Sequence, residues 1–150
     1  MPESGSLNYR LSDQAENEAW HILSAYATFD RVPPDALLLE QNAPVPNVYL
    51  LNRGLIKLTH GAESGHAAIV AIRSPGWMIG LSAAILNRSI PFTASTLTAC
   101  EVGRLPALKL RSLATTQLPI ALLVMQELTA KNYRQVLQQS RLSTLPARDR

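Results

Sequence analysis

The sequence predicts a mainly β domain, a small sandwich or barrel, with a short helix ahead of it and a long helix behind. Three observations lead there. Between Ala36 and Pro106, short apolar runs alternate with Gly-, Asn- and Pro-containing turns, the spacing of a compact all-β unit. Ahead of that region Ala15, Ala19, Ile22, Leu23 and Tyr26 fall on one face at helical spacing. Behind it, from Pro119 to Ser140, neither Gly nor Pro interrupts the chain.

The first ten residues are polar and are expected to fray. Ser12 is suited to cap the first helix, because its hydroxyl can accept from an unpaired N–H of the first turn. Pro33-Pro34-Asp35 ends that helix and returns the chain to extended structure. The strands that follow are ALLLE, VYLL, LIKLTH, AAIVAI, FTASTLT and CEVGRL. They are separated by residues 42–47, Asn52-Arg53-Gly54, the Gly61 to Gly65 turn and Ser74-Pro75-Gly76. In LIKLTH, Leu55, Lys57 and Thr59 alternate with Ile56, Leu58 and His60, as on a strand with one wet face.

The long helix has Thr115 or Thr116 as cap and Pro119 in its first turn, giving roughly 20 residues and about 30 Å. Leu118, Leu122, Met125, Thr129, Asn132, Val136 and Gln139 recur at steps of four and three, a heptad seam with three of its seven positions polar. Leu123, Val124, Leu128, Tyr133 and Leu137 form a second stripe, available to the barrel. A helix apolar on two sides needs two surfaces to pack on: its own domain, and a second copy.

Composition narrows the function classes. A chain of 150 residues with 47% apolar content fits one domain with a single core. No run approaches the roughly 18 apolar residues of a membrane span. MPESGSLNYR has no signal-peptide pattern, and the cytoplasm is the expected compartment. Cys100 is the lone cysteine, which excludes an internal disulfide, a Cys-based zinc site and a cysteine-held iron–sulfur cluster. On an apolar strand it is expected to be a small core residue. The net charge of +3 is unevenly placed: residues 131–150 hold a local +4, from Lys131, Arg134, Arg141, Arg148 and Arg150 against Asp149. A solvated helix end and contact with nucleic acid both fit that excess.

The run from Val48 through Tyr49, Leu50, Leu51, Asn52, Arg53 and Gly54 to Leu58 resembles the vYlLxxGxvkl signature of cyclic nucleotide-binding domains. Upstream, Leu39-Glu40-Gln41-Asn42 is similar to the family's f-x-E-G-d turn, with Asn42 near the glycine; Asn tolerates the left-handed conformation second best. Downstream, Ser74 to Gly80 resembles l-x-p-G-d-x-f-G, and Thr98 to Val102 matches the T-x-C-E-V strand. Each motif is weak alone, and their order and spacing carry the resemblance. It is to the sensing domain of Crp/Fnr-type transcription regulators.

That resemblance implies a double-stranded β-helix, or jelly-roll barrel, with a phosphate-binding cassette and a long helix that pairs two subunits. It divides the chain into a flexible start (1–10), the barrel domain (11–115), the dimerisation helix (116–141) and a hinge (142–150) toward an absent DNA-binding domain. In nucleotide-binding members the cassette reads G-E-x-A, with an Arg about ten residues after the Gly. A buried cyclic phosphate needs backbone N–H groups and a cation, and the Glu accepts the ribose 2′-hydroxyl. Here Leu81 follows Gly80 where the Glu belongs, and Ile90 stands at the Arg position, with Phe92 at a small one. Arg88, two residues early, is the nearest cation. Losing one partner of a buried charge pair costs roughly 2–5 kcal/mol, so tight cyclic-nucleotide binding is not expected.

The candidate ligand-binding residues are therefore Gly80, Ser82, Ala83, Arg88 and Thr93, and the candidate dimer contacts Leu122, Met125, Asn132 and Val136. Trp77 and Met78 are expected in the core. No cofactor, metal or membrane is expected. A small-molecule effector of unknown identity is, and so are a second copy through the long helix and DNA only through the absent domain. The alternative is a cupin-like jelly-roll enzyme built on His60 and His66, which bracket one turn; two histidines leave such a metal site incomplete. No nucleophile–base order, P-loop or paired-carboxylate pattern is present.

Overall fold

The computed structural model describes residues 13–61 and 65–144. The chain opens with α1 (Asp13–Tyr26), then β1 (Thr28–Val32), β2 (Leu37–Leu39), β3 (Asn47–Arg53), β4 (Ile56–Gly61), β5 (Ala67–Arg73) and β6 (Met78–Ile79). A short helix, α2 (Leu81–Leu86), precedes β7 (Thr93–Thr96) and β8 (Cys100–Pro106), and two helices close the chain, α3 (Ala107–Thr116) and α4 (Leu118–Thr144). The strands form two antiparallel sheets of four, ordered β1-β8-β3-β6 and β2-β7-β4-β5. The chain changes sheet at every strand connection except β4 to β5, which gives the expected jelly roll.

Val48, Leu50 and Leu51 of β3, Ile56 and Leu58 of β4, and Val102 and Leu105 of β8 are all buried, the Leu51–Val102 pair on the opposite face of its sheet from the Val48–Leu105 pair. The predicted alternation in β4 holds from Ile56 to Thr59, with Ile56 and Leu58 buried and Lys57 and Thr59 half-exposed, and breaks at His60, which is exposed beyond a register shift between Leu58 and Thr59. Cys100 is buried as expected, its thiol 3.3 Å from the Leu55 carbonyl. Trp77 and Met78 are half-buried against the core rather than inside it. Asn42 adopts the left-handed conformation (φ 66°) that its place near the family glycine suggested. At Gly54 the turn from β3 to β4 has φ +93°, and a Cβ there would stand 2.3 Å from the Ala99 carbonyl oxygen. No other residue fits that position without displacing backbone.

Three assignments change. The first helix stops at Tyr26, not at Pro33, and β1 pairs with β8 from Thr28↔Arg104 to Val32↔Cys100. TFDRV is almost wholly exposed, so it carries no alternation to betray a strand. Its place is set by the partner: Gly103 leaves room for the Phe29 ring, which a Cβ would meet at 2.7 Å. Second, residues 107–116 are helical and separate from the long helix. Thr115 and Thr116 are not caps of the long helix; their hydroxyls donate to the Ser112 carbonyl at the end of α3. Gln117 is extended (φ −119°, ψ 109°), and its carbonyl accepts from Ile120 and Ala121 to start α4. Pro119 sits in that first turn as expected, and its missing N–H prevents one continuous ladder from α3 to α4. Third, α4 reaches Thr144, so the helix runs past Ser140 and residues 142–144 are helical.

The inner stripe of α4 packs mainly on α1 and α3 rather than on the sheets. Ile120 and Val124 are buried, and Leu123 and Leu128 are half-buried against the same cluster. Tyr133, grouped with that stripe in the sequence, is 46% exposed. On α1, Ala19 and Leu23 are buried, whereas Tyr26 is exposed beneath the Lys109 ammonium, 4.4 Å from its ring centre. The frayed start, the Ser12 cap, the middle of the 61–65 turn and residues 145–150 of the hinge lie outside the described residues.

Candidate ligand cavity

The cassette is built by a short strand, a left-handed residue and a one-and-a-half-turn helix. β6 leads into Gly80 (φ 91°, ψ 9°), α2 follows, and Asn87 (φ 54°, ψ 49°) ends it in the left-handed region. Asn and Gly are the residues that reach this conformation at least cost. At Gly80 a side chain would also meet Leu39 Cδ1 at 2.9 Å. The returning strand is pinned to the 40–43 turn: the Ile90 N–H donates to the Ala43 carbonyl at 3.1 Å, and the Ile90 carbonyl accepts from Asn42 N–H at 2.7 Å. Ile90 is thereby held almost fully buried.

A cavity of about 440 Å³ opens beside this cassette, within the roughly 300–1,000 Å³ usual for small-molecule sites. Leu81 and Ile90, the residues at the two departures from the cyclic-nucleotide pattern, both line it, and Phe92 joins them. Leu58 of β4 and Ile79 of β6 form apolar wall from the barrel side. Charge enters from two places absent from the sequence-level site: Arg73 at the end of β5, and Glu127 of α4. The Arg73 guanidinium lies 4.1 Å above the centre of the Trp77 ring, in cation–π range.

Of the candidate binding residues, Gly80, Ser82 and Ala83 line the cavity. Arg88 does not; it is exposed and its backbone N–H donates to the Ala83 carbonyl at 3.0 Å. Thr93 also lies off the wall, its hydroxyl accepting from the Gln41 N–H at 3.1 Å. No linear motif marks Arg73 or Glu127, because they come from elements separated by more than fifty residues and meet only through the fold. Among groups near the barrel surface, burial pushes the Tyr49 phenol above the ordinary value of 10.0, against the opposing effect of the Arg104 cation and with a smaller contribution from Asp30.

His60 and His66 are both exposed and neither borders the cavity. In the β4–β5 register His60 faces Ala68, so the histidines are not cross-strand partners. Among the described residues, no group of three or more His, Cys, Asp or Glu could hold a metal ion. On α4, Leu118, Met125 and Val136 are 69%, 58% and 53% exposed, Leu122 is half-buried, and the Asn132 side chain lies outside the described residues. No helix among the described residues is long and apolar enough to cross a membrane.

The two-sheet jelly roll, the short helix between β6 and β7 and the long final helix form the architecture of a cyclic nucleotide-binding domain. Residues 29–117 match the family model of the cyclic nucleotide-binding domain, and the chain belongs to that family. Solved structures similar to it include the catabolite activator protein of Thermus thermophilus (20% identity, TM-score 0.70), where 84% of this chain overlies 59% of that one. Another is the c-di-GMP responsive global regulator CLP of Xanthomonas campestris (19%, TM-score 0.68; 91% of this chain, 68% of that one). A third is the sensor domain of the transcriptional regulator DNR of Pseudomonas aeruginosa (16%, TM-score 0.65; 79% and 80%). The chain spans about three fifths of the length of the Thermus protein. No curated protein sequence matches the chain.

Proposed function

We propose that this chain is the effector-sensing and dimerisation domain of a Crp/Fnr-type transcription regulator, working in the cytoplasm and not as an enzyme. One observation carries the reading: a single helix, α4, borders the cavity through Glu127 while turning Leu118, Met125 and Val136 out to solvent. These residues fall on the heptad seam, roughly opposite Glu127 around a helix of about 3.6 residues per turn. An apolar stripe of that kind is satisfied by an identical helix. A ligand that shifts α4 at Glu127 therefore shifts the subunit contact, and through it whatever DNA-reading segment the two copies carry. The basic excess of residues 131–150 lies at that same end.

The cassette is degenerate in this reading. Leu81 and Ile90 put apolar side chains where the family's cassette carries the acceptor and the cation that meet a ribose phosphate, and the charges at the cavity are instead Arg73 and Glu127. The family match and the regulatory relatives support a sensing role; the exposed positions of His60 and His66 leave the cupin-like alternative unsupported.

Met125→Glu tests the dimer. It sets two carboxylates against each other in an apolar contact, and sedimentation should find monomers where the parent chain forms dimers. A variant that dimerises with unchanged affinity means that another surface pairs the subunits.

A further inference from the structure

Resting on the reading of α4 as the dimerisation helix, we infer that Arg111 is the positioning residue that couples the cassette to the subunit contact, with α3 as the lever between them. α2, whose Leu81, Ser82 and Ala83 line the cavity, packs on α3, and α3 packs on α4. Among the described residues, α2 and α4 share no comparable packing. The packed route from the cassette to the long helix therefore runs through α3. Arg111 fastens its first joint: the guanidinium Nη1 donates to the Ala84 carbonyl at 2.6 Å, and Ala84 is almost fully buried. A charge-assisted hydrogen bond of this kind is about twice as strong as a neutral one.

The two ends of α3 give it a lever's geometry. At its start the Ala107 N–H donates to the Pro46 carbonyl at 2.9 Å, ahead of β3, which fixes that end to the barrel. At its far end Gln117 closes α3 and opens α4. Its N–H donates to the Leu113 carbonyl at 2.8 Å, and its carbonyl accepts from Ile120 at 3.0 Å and Ala121 at 3.1 Å. Ala107, Leu110 and Leu113 are buried along α3, so the helix moves as one piece. Arg111 stands four residues from the fixed end and Gln117 ten, about 6 and 15 Å at the rise of an α-helix. A swing about Ala107 is therefore enlarged about two- to threefold between the cassette contact and the start of α4. The seam residues Leu118 and Leu122 follow at once. Coupling is reciprocal: pairing two copies of α4 holds α3 and slows local opening of α2, with no ligand needed.

Hydrogen exchange of the full chain, followed by NMR, tests this. The reporters are the Ala84, Asn87 and Arg88 amides, which donate to the Gly80, Ala84 and Ala83 carbonyls. They should exchange about fivefold or more slowly in the parent dimer than in the monomeric Met125→Glu chain. Arg111→Met should quicken exchange in both backgrounds and shrink the difference between them to less than about twofold. Arg111→Lys, shorter but still charged, should leave an intermediate difference, and it replaces Arg111→Met should that variant fold poorly. Exchange quickened equally in dimer and monomer, with the full difference intact, would make Arg111 a local cap and overturn the inference. Parent amides that exchange alike in dimer and monomer would overturn it too. In both cases the dimer reading stands. A parent chain that stays monomeric, or a Met125→Glu chain that dimerises as well as the parent, sinks the dimer reading and the inference with it.

Discussion

The Arg111 guanidinium of α3 donates to the Ala84 carbonyl in α2 across 2.6 Å. Asn87 N–H donates to the same carbonyl at 3.4 Å, so a helix end with few internal partners is closed by a side chain from another helix. α3 thereby fixes the back of the cassette while α2 forms the front wall of the cavity.

Arg111→Met should keep the aliphatic packing and lose the charged donor. A hydrogen bond to a charged group contributes about 1.5–3 kcal/mol, and Arg111 is half-exposed, so the loss should be at the lower end of that range. Urea denaturation should show it as a lower midpoint with unchanged slope, and Arg111→Lys should recover part of it. A midpoint equal to that of the parent would mean that water replaces the guanidinium at no cost.

Thr96 is fully buried and ties down the loop before β2. Its hydroxyl donates to the Pro33 carbonyl at 2.6 Å and accepts from the Ala36 N–H at 2.9 Å. Thr96→Val has nearly the same shape but strands both backbone groups, at about 1–3 kcal/mol for each unsatisfied buried group. The expected loss is about 2–4 kcal/mol in thermal or chemical denaturation. A loss near that of Thr96→Ser, which keeps the hydroxyl, would show that the methyl and not the hydrogen bonds carries the site.

Burial raises the Tyr49 phenol above 10.0, partly offset by Arg104 and reinforced by Asp30. The folded chain thus holds this proton more firmly than the unfolded chain does. Its contribution to stability is complete below about pH 10 and declines as the pH climbs from there through the higher folded value. Tyr49→Phe should have a shallower alkaline decline than the parent when urea midpoints are compared at about pH 9 and about pH 11. Parallel declines would place the phenol in water.

Cyclic AMP should give no saturable calorimetric heat with the parent chain below about millimolar concentration. Leu81→Glu combined with Ile90→Arg restores the family's acceptor and cation on the cavity wall and should recover partial affinity. Leu81 and Ile90 are nearly fully buried, so the double variant should be less stable without ligand than with it, because each new charge is then unpaired. Micromolar binding by the parent would show that Arg73, Ser82 or backbone groups at the cavity suffice for the phosphate.

The sequence alone determined the barrel, because strands with one buried face impose a period of two and turns impose Gly, Asn and Pro. Ile56 to Thr59, Asn42 and Gly54 obeyed those local rules, although Asn52 and Arg53 belong to β3 rather than to the turn. What failed in the sequence lacked a local signal. β1 is a strand only because β8 pairs with it, and Phe29 stays there because Gly103 has no side chain. α3 is a separate helix over residues assigned to the barrel and the cap of the long helix, set apart from α4 by the extended Gln117. The cavity was legible in part: Leu81 and Ile90 announced themselves by departing from a motif, while Arg73, Trp77 and Glu127 came together only when β5, β6 and α4 closed around one space. Periodicity is written in neighbours along the chain, but a binding site is assembled from residues far apart in it, and tertiary packing decides which of them meet.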